Sequence, residues 1–230
     1  MRTNKIITVL ALGSLLVSCK AQLPNAAECV LDLDTALTEY QAQIESGEIT
    51  AETPAPVACE VPDKDPEAGL TVSINMRDFT AEQEEKMHKA VERLKIAINS
   101  VQFKEKILNH KYKDEFTFVD NGGLSNEEIY KKIMEGAEVL IPELDYEMDV
   151  DVTMYYKRSS TVGYTYPNTT RTWVNSRFFN AYTLGEVASN VAHEWTHKVG
   201  FEHDFNNNSA RPYSVPYAVG AIIEEIIEGM

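Results

Sequence analysis

The sequence has few basic residues, few cysteines and no long apolar run. Lys and Arg total 21 against 36 Asp and Glu, a net charge of −15, so the chain lacks the basic footprint that nucleic-acid binding needs. No segment approaches the ~20 consecutive apolar residues of a membrane-spanning helix, which excludes a multi-span membrane protein. Hydrophobic residues make up 43% and charged residues 25%, which is typical of soluble globular proteins and not of disordered chains.

The longest apolar segment lies close to the N-terminus. Arg2 and Lys5 precede residues 6–17, and a short apolar segment after basic residues is typical of a secretory signal peptide. The sequence Leu-Val-Ser-Cys that ends at Cys19 resembles the lipobox of bacterial lipoproteins, whose cysteine is lipidated and becomes the mature N-terminus. The resemblance implies a signal peptide over residues 1–18 and a lipid on Cys19. It also implies export to a bacterial cell envelope, at the outer membrane or cell surface. An ordinary signal peptide, the alternative, also implies export.

Composition divides the remaining chain at about Leu70. Residues 20–69 carry 11 acidic and 2 basic residues and five of the nine prolines, which predicts a solvated spacer over residues 19–69, with one helix near Asp34–Ser46. Residues 70–230 are long enough to bury one core. They are expected to form the functional domain, as a monomer.

Two cysteines remain beside Cys19. An even pair in an exported chain indicates a disulfide between Cys29 and Cys59. Alternatively, the stretch from Cys59 to Asp63, Cys-Glu-Val-Pro-Asp, is similar to the cysteine switch of matrix metalloproteinases, Cys-Gly-Val-Pro-Asp, in which a thiolate caps the zinc. The switch arginine is Ala58 here and its glycine is Glu60.

Periodicity and capping signals predict mixed strands and helices, an α+β fold. Capping boxes start at Thr80, Ser125 and Thr183. The pattern predicts strands over Leu70–Met76, Glu115–Val119, 148–157, 161–166 and 170–175. It predicts helices from each capping box, the second ending near Leu140 and the third at Gly200, and a final helix over Tyr217–Glu228.

One motif carries chemistry. His193 and His197 are four residues apart, so on a helix both imidazoles leave the same face, and neutral imidazoles are good zinc ligands. Glu194, next to His193, is placed to act as a general base toward a metal-activated water. Gly200 can end the helix in a left-handed conformation, and His203 then returns as the third ligand. Three protein ligands leave an open position, as in catalytic zinc sites.

The pattern His-Glu-x-x-His-x-x-Gly-x-x-His resembles that of the metzincin metallopeptidases, and the aspartate after His203 is similar to the adamalysin branch. The resemblance implies a Zn²⁺-dependent endopeptidase that cleaves protein or peptide substrates. It implies a mixed sheet with backing helices, an active-site helix and a small C-terminal subdomain. It also implies an edge strand along the cleft that pairs with substrate backbone, for which Thr170–Asn175 is the candidate.

The chain departs from the metzincin pattern downstream of His203. Metzincins have a methionine turn beneath the zinc, whereas the one methionine after His203 is Met230. The best counterpart is the stretch from Ser214 to Tyr217, Ser-Val-Pro-Tyr, which is similar to the astacin and serralysin turn Ser-Val-Met-x-Tyr. Val215 or Pro216 would form the floor. Tyr217 would stand where those families place a tyrosine that reaches the zinc or the oxyanion; the alternative is an ordinary packed tyrosine.

Two alternatives remain open. In gluzincins the third ligand is a glutamate on a later helix, a role that Glu224 or Glu225 could take. The missing methionine also leaves the possibility of a zinc-binding envelope lipoprotein without peptidase activity.

Overall fold

The computed structural model describes residues 29–230; the predicted signal peptide and Cys19 lie outside them. Contacts divide the described chain into a first unit that ends at Ala58 and a second unit, Cys59–Met230. Cys29 and Cys59 are both disulfide-bonded, which agrees with the predicted disulfide. Because Cys59 is not a free thiol, the cysteine-switch interpretation is wrong for this state of the protein.

The first unit contains one helix, α1 (Leu33–Ser46), among its described residues. Asp32 caps its N-terminus by accepting from the Thr35 N–H, and Gly47 ends it at φ +78°. No residue of α1 is buried. The helix predicted near 34–46 is therefore confirmed.

The second unit is a mixed α+β fold, as the sequence predicts. Its elements follow the order β1 (Thr71–Arg77), α2 (Ala81–Ile98), α3 (Val101–Leu108), α4 (Asn126–Glu135), β2 (Glu147–Tyr155), β3 (Gly163–Thr165), β4 (Arg171–Asn175), α5 (Ser176–Phe179), α6 (Leu184–Lys198) and α7 (Val215–Glu228). The three predicted capping boxes are formed in α2, α4 and α6. Among residues 29–230, no helix is long and apolar enough to cross a membrane.

The sheet order is β1-β2-β4-β3. β1, β2 and β4 are parallel, and β3 runs antiparallel to β4, with Gly163 opposite Val174. The candidate edge strand at Thr170–Asn175 is therefore wrong. That segment is β4, an interior strand, because the chain before it folds back along its outer side as β3.

Two other local predictions differ from the structure. Glu115–Val119 forms isolated bridges and no strand, because Asp114 and Asp120 on either side adopt positive φ and turn the chain. The helix expected to reach Leu140 ends at Glu135, where Gly136 adopts φ +70° and approaches the Glu147 backbone too closely for a side chain.

Residues 59–69, assigned by composition to the spacer, belong to the second unit and pack on its helices. The Asp65 N–H donates to Asn99 O, and the Val101 N–H donates to Asp63 O. Asp65 and Ala68 are buried. A polar, proline-containing segment is thus held by backbone hydrogen bonds that composition does not encode.

The core lies between the sheet and helices α2, α6 and α7. α6 contacts α7 most extensively and also packs on α2, β2 and β3. Gly220 of α7 permits this approach, since a Cβ there would lie 2.9 Å from Ser189 O and 3.5 Å from His193 Cβ. The close helix pair sets the position of His193.

Candidate metal centre

Helix α6 orients the first two histidines. Thr183 and Glu186 form its capping box, and one side of the helix is buried through Val187, Val191 and Trp195. This apolar side fixes the rotation of the helix. His193 and His197, on a neighbouring side, present their rings 5.2 Å apart.

A left-handed residue brings in the third histidine. Gly200 has φ +97°, a conformation that costs glycine little, and the Phe201 N–H donates to Thr196 O at 3.0 Å. The chain then turns back, and His203 lies with its ring 5.2 Å from His193 and 4.9 Å from His197. One ligand atom from each of the three histidines lies within 4.8 Å of the others. The three predicted ligands thus form one cluster that can bind a metal.

Each imidazole is also bonded to the backbone. His197 Nδ1 lies 2.7 Å from Phe201 O, and His203 Nδ1 lies 3.1 Å from Asp204 O. His193 bonds to the backbone of Pro216. Because a carbonyl only accepts, the ring nitrogen must donate and the other nitrogen keeps its lone pair. Such second contacts fix the ring and raise its basicity as a ligand.

Burial keeps two of these rings neutral. It lowers the pKa of His193 to about 3, with further contributions from His197, His203 and Arg211. Burial also lowers the pKa of His197. Neutral imidazoles offer lone pairs at neutral pH, as metal binding requires.

Glu194 is a buried carboxyl beside the cluster. Its side chain is 6% exposed, and burial raises its pKa to about 7, while the charge of Lys198 acts in the opposite direction. A Cβ added to Gly163 of β3 would lie 3.1 Å from Glu194 Oε1. The edge strand therefore passes directly beside the predicted general base.

Tyr217 contacts two of the three histidines. Its ring lies 4.5 Å from that of His193, at an interplanar angle of 83°, and 4.9 Å from that of His203. Burial raises the pKa of its phenol. Val215 is fully buried. The stretch proposed from sequence as the counterpart of the methionine turn therefore lies against the cluster, through the Pro216 backbone and the Tyr217 ring.

The glutamates considered as alternative third ligands lie elsewhere. Glu225 pairs with Lys106 at 2.9 Å. The side chain of Glu224 lies beside Gly185, at the opposite end of α6 from His197. The histidine cluster contains neither residue.

A pocket opens on the other side of His197. It has a volume of about 490 Å³, counting its open mouth, and its walls include Val139, Leu140, Ile141 and Pro167. The acidic residues Glu138, Asp149 and Glu202 also line it, so the pocket is mixed in character.

Sequence reasoning missed two cationic residues of the site. Lys198 lies almost fully buried behind the cluster, and Arg211 lies 4.7 Å above the Tyr217 ring. No sequence pattern identifies either, since each depends on neighbours that only the fold brings near.

Comparison of the chain with protein-family models gives no match, and comparison with curated protein sequences gives none either. The functional argument therefore depends on the geometry of the cluster and on the motif that forms it.

Proposed function

We propose that this protein is a zinc-dependent endopeptidase of the metzincin type. The observation that carries the proposal is the convergence of His193, His197 and His203 beside the buried carboxyl of Glu194. Three imidazoles with an open side are the donor set of catalytic zinc sites, and the site retains a general base that a purely structural zinc site does not need.

The residues fit zinc by their chemistry. All three donors are imidazole nitrogens, two of them kept neutral by burial, and each ring is bonded to a backbone carbonyl. Bound there, zinc supplies a Lewis acid that polarises a carbonyl and lowers the pKa of water.

The other groups have roles in peptide hydrolysis. Glu194 takes a proton from the attacking water and passes it to the leaving amine, because a base whose pKa lies near 7 can do both at neutral pH. The phenol of Tyr217 donates a hydrogen bond to the oxygen of the scissile carbonyl as negative charge develops there. The free edge of β3 offers backbone groups to an extended substrate.

The experiment measures zinc content and hydrolysis of a mixed quenched-peptide pool. We expect the parent to bind one zinc per chain and to cleave peptides, and a chelator to abolish cleavage. Glu194→Gln should retain zinc and lose at least ~10²–10⁴-fold in rate, the usual worth of a general base. Glu186→Gln, at the capping box of the same helix, is the control and should cleave normally.

Zinc binding without any cleavage would favour the alternative of a non-catalytic zinc-binding lipoprotein. Full zinc content in His203→Ala, with loss in Glu224→Ala or Glu225→Ala, would favour the gluzincin interpretation.

We further propose that Cys19 carries a lipid and anchors the protein in the bacterial cell envelope. The lipobox resemblance supports this. Cys19→Ser should move the exported protein from the membrane fraction to the soluble fraction. Sedimentation of the variant with membranes after a high-salt wash would contradict the anchor and leave the zinc proposal unaffected.

A further inference from the structure

Arg211 places a positive charge next to the histidine cluster. It begins the short 3-10 turn Arg211–Tyr213, between the third histidine and α7. Its guanidinium carbon lies 4.7 Å from the centre of the Tyr217 ring, and that ring contacts the rings of His193 and His203. One aromatic ring therefore separates the guanidinium from the cluster.

The guanidinium has no acidic partner among residues 29–230. Arg211 Nε is buried and has no hydrogen-bond acceptor there, and no ion pair among those residues includes this side chain. This is unexpected in a chain with 36 acidic residues against 21 basic ones. The positive charge of Arg211 therefore lies close to the cluster without a negative partner in the described chain, and an acidic group of a ligand can pair with it.

The backbone holds Arg211 in a fixed position. Asn208 Oδ1 accepts from the N–H groups of Ala210 at 2.9 Å and of Arg211 at 3.0 Å. Ser214 Oγ donates to Arg211 O at 2.8 Å. Asp204, which follows the third histidine, accepts from the Asn208 side chain at 2.7 Å. A chain of hydrogen bonds thus connects the third histidine to the residue that presents the guanidinium.

We propose that Arg211 binds a carboxylate of the substrate, so that the enzyme prefers peptides with a carboxylate close to the scissile bond. This inference rests on the proposed peptidase function. A guanidinium forms paired, charge-assisted hydrogen bonds with a carboxylate, and partial burial beside Tyr217 strengthens them relative to water. The carboxylate belongs either to an acidic side chain or to the C-terminus of the peptide.

The first test compares octapeptides that carry one Asp or one Asn at each position in turn, with a free or an amidated C-terminus. Mass spectrometry identifies the bond cleaved. We expect Asp at one fixed position, or the free C-terminus, to raise kcat/KM on the order of 10- to 100-fold, the range for a hydrogen bond to a charged group. The amidated series decides between the two sources of the carboxylate.

Three variants test the role of Arg211. Arg211→Met should abolish the preference and retain zinc, and Arg211→Lys should retain part of it, because lysine keeps the charge and loses the paired geometry. Arg77→Met is the matched control: it removes the same charge from β1, at the opposite edge of the sheet from β3. An unchanged preference in Arg211→Met would overturn the proposal. So would parent rates that change neither with the exchange of Asp for Asn nor with amidation of the C-terminus.

A binding measurement separates this proposal from the proposed function. Affinities of the same octapeptides for Glu194→Gln are measured by calorimetry, with and without Arg211→Met. Tighter binding of carboxylate peptides that requires Arg211 supports the inference even if the parent cleaves nothing, in which case the peptidase function alone fails. Cleavage by the parent with no carboxylate preference in either assay overturns the inference alone.

Discussion

At the residue scale, Tyr217 has two possible roles beside the histidine cluster: it could bind the metal, or it could donate a hydrogen bond to the substrate. Its ring lies 4.5 Å from the ring of His193, 4.9 Å from that of His203 and 4.7 Å from the Arg211 guanidinium carbon. As a metal ligand, the phenol oxygen would have to point a lone pair at the metal. As a hydrogen-bond donor, its O–H would have to point at the scissile carbonyl oxygen. Removal of the hydroxyl oxygen alone tests the second role, because phenylalanine keeps the ring.

We expect Tyr217→Phe to retain zinc and the fold and to lower kcat on the order of 10²-fold, the lower part of the range for one oxyanion donor. KM should change less, because the hydrogen bond strengthens as charge develops. Steady-state kinetics with metal analysis tests this. Tyr213→Phe, on the exposed ring that packs on Tyr112, is the control. A Tyr217→Phe enzyme with the rate of the parent would make Tyr217 a packing residue.

The sequence predicts the histidines and Glu194 because their geometry is local. The spacing of His193 and His197 is converted directly into a shared helix face, and Gly200 identifies the turn that returns His203. Arg211 is different: three residues before Ser214, it has no spacing rule that links it to Tyr217. Its position beside the Tyr217 ring depends on how α7 packs after the turn, and that packing is tertiary.

At the scale of elements, Lys198 joins helix α6, which carries His193 and His197, to the β3–β4 hairpin. Its Nζ donates to Thr165 Oγ1, to Thr169 O at 2.5 Å and to Arg171 O at 3.0 Å. Burial lowers the pKa of the ammonium to about 8. With Tyr166 O at 3.4 Å, one buried cation therefore contacts four oxygens of the hairpin.

Lys198→Met should loosen the hairpin, because three carbonyls and a hydroxyl lose a charged donor. Hydrogen exchange of the β3 and β4 amides should accelerate on the order of 10- to 100-fold, corresponding to a hydrogen bond to a charged group, with slower exchange retained in α2. Lys89→Met, an exposed lysine of α2 paired with Glu85, should change neither region. Unchanged hydrogen exchange in the β3–β4 hairpin of Lys198→Met would contradict the conclusion that Lys198 stabilises this hairpin.

The sequence predicts the helices that begin with a capping box, and it does not predict which strands pair in the sheet. Three capping boxes identify α2, α4 and α6, because a cap is completed within four residues. The order of β3 and β4 in the sheet could not be derived, since alternation in a strand does not reveal its neighbours. Glu115–Val119 has the composition of a strand, yet in the described chain its ends form only isolated bridges, to Tyr112 and Ser214.

At the scale of the whole molecule, Asp65 bonds the segment after Cys59 to helices α3 and α4. It accepts from the Glu67 N–H and the Tyr130 hydroxyl, each at 3.1 Å, and pairs with Lys104 at 3.0 Å. Burial alone would raise its pKa. The hydrogen bonds and the charge of Lys104 outweigh burial and hold the pKa below the ordinary 3.8.

This shift predicts a pH dependence. A carboxyl whose pKa is depressed on folding stabilises the protein above its unfolded pKa, and the contribution is lost as pH falls through the folded value. Asp65→Asn should therefore lower the free energy of unfolding at pH 7 by about 1–3 kcal/mol, with a difference from the parent that shrinks below about pH 3.8.

Urea unfolding of the chelated proteins at pH 7 and pH 3 tests the pH dependence. Asp63→Asn, an exposed carboxyl on the same segment, is the control and should differ little from the parent at either pH. A difference between parent and Asp65→Asn that grows on acidification would contradict the argument.

The residues on the face of β3 that meets α6 tolerate few substitutions. Gly163 borders Glu194, and Thr165 accepts from Lys198. Two residues of strand advance about 6.6 Å and four residues of helix about 6 Å. The spacing from Gly163 to Thr165 therefore matches the spacing from Glu194 to Lys198, and each strand residue faces one helix residue. Tyr164 points the opposite way and stacks on Trp173 at 5.3 Å. Mutational libraries that test the proposed peptidase selectivity should therefore spare 163 and 165 and vary Tyr164 and Trp173, whose ring stack lies on the opposite face of the strand from Glu194.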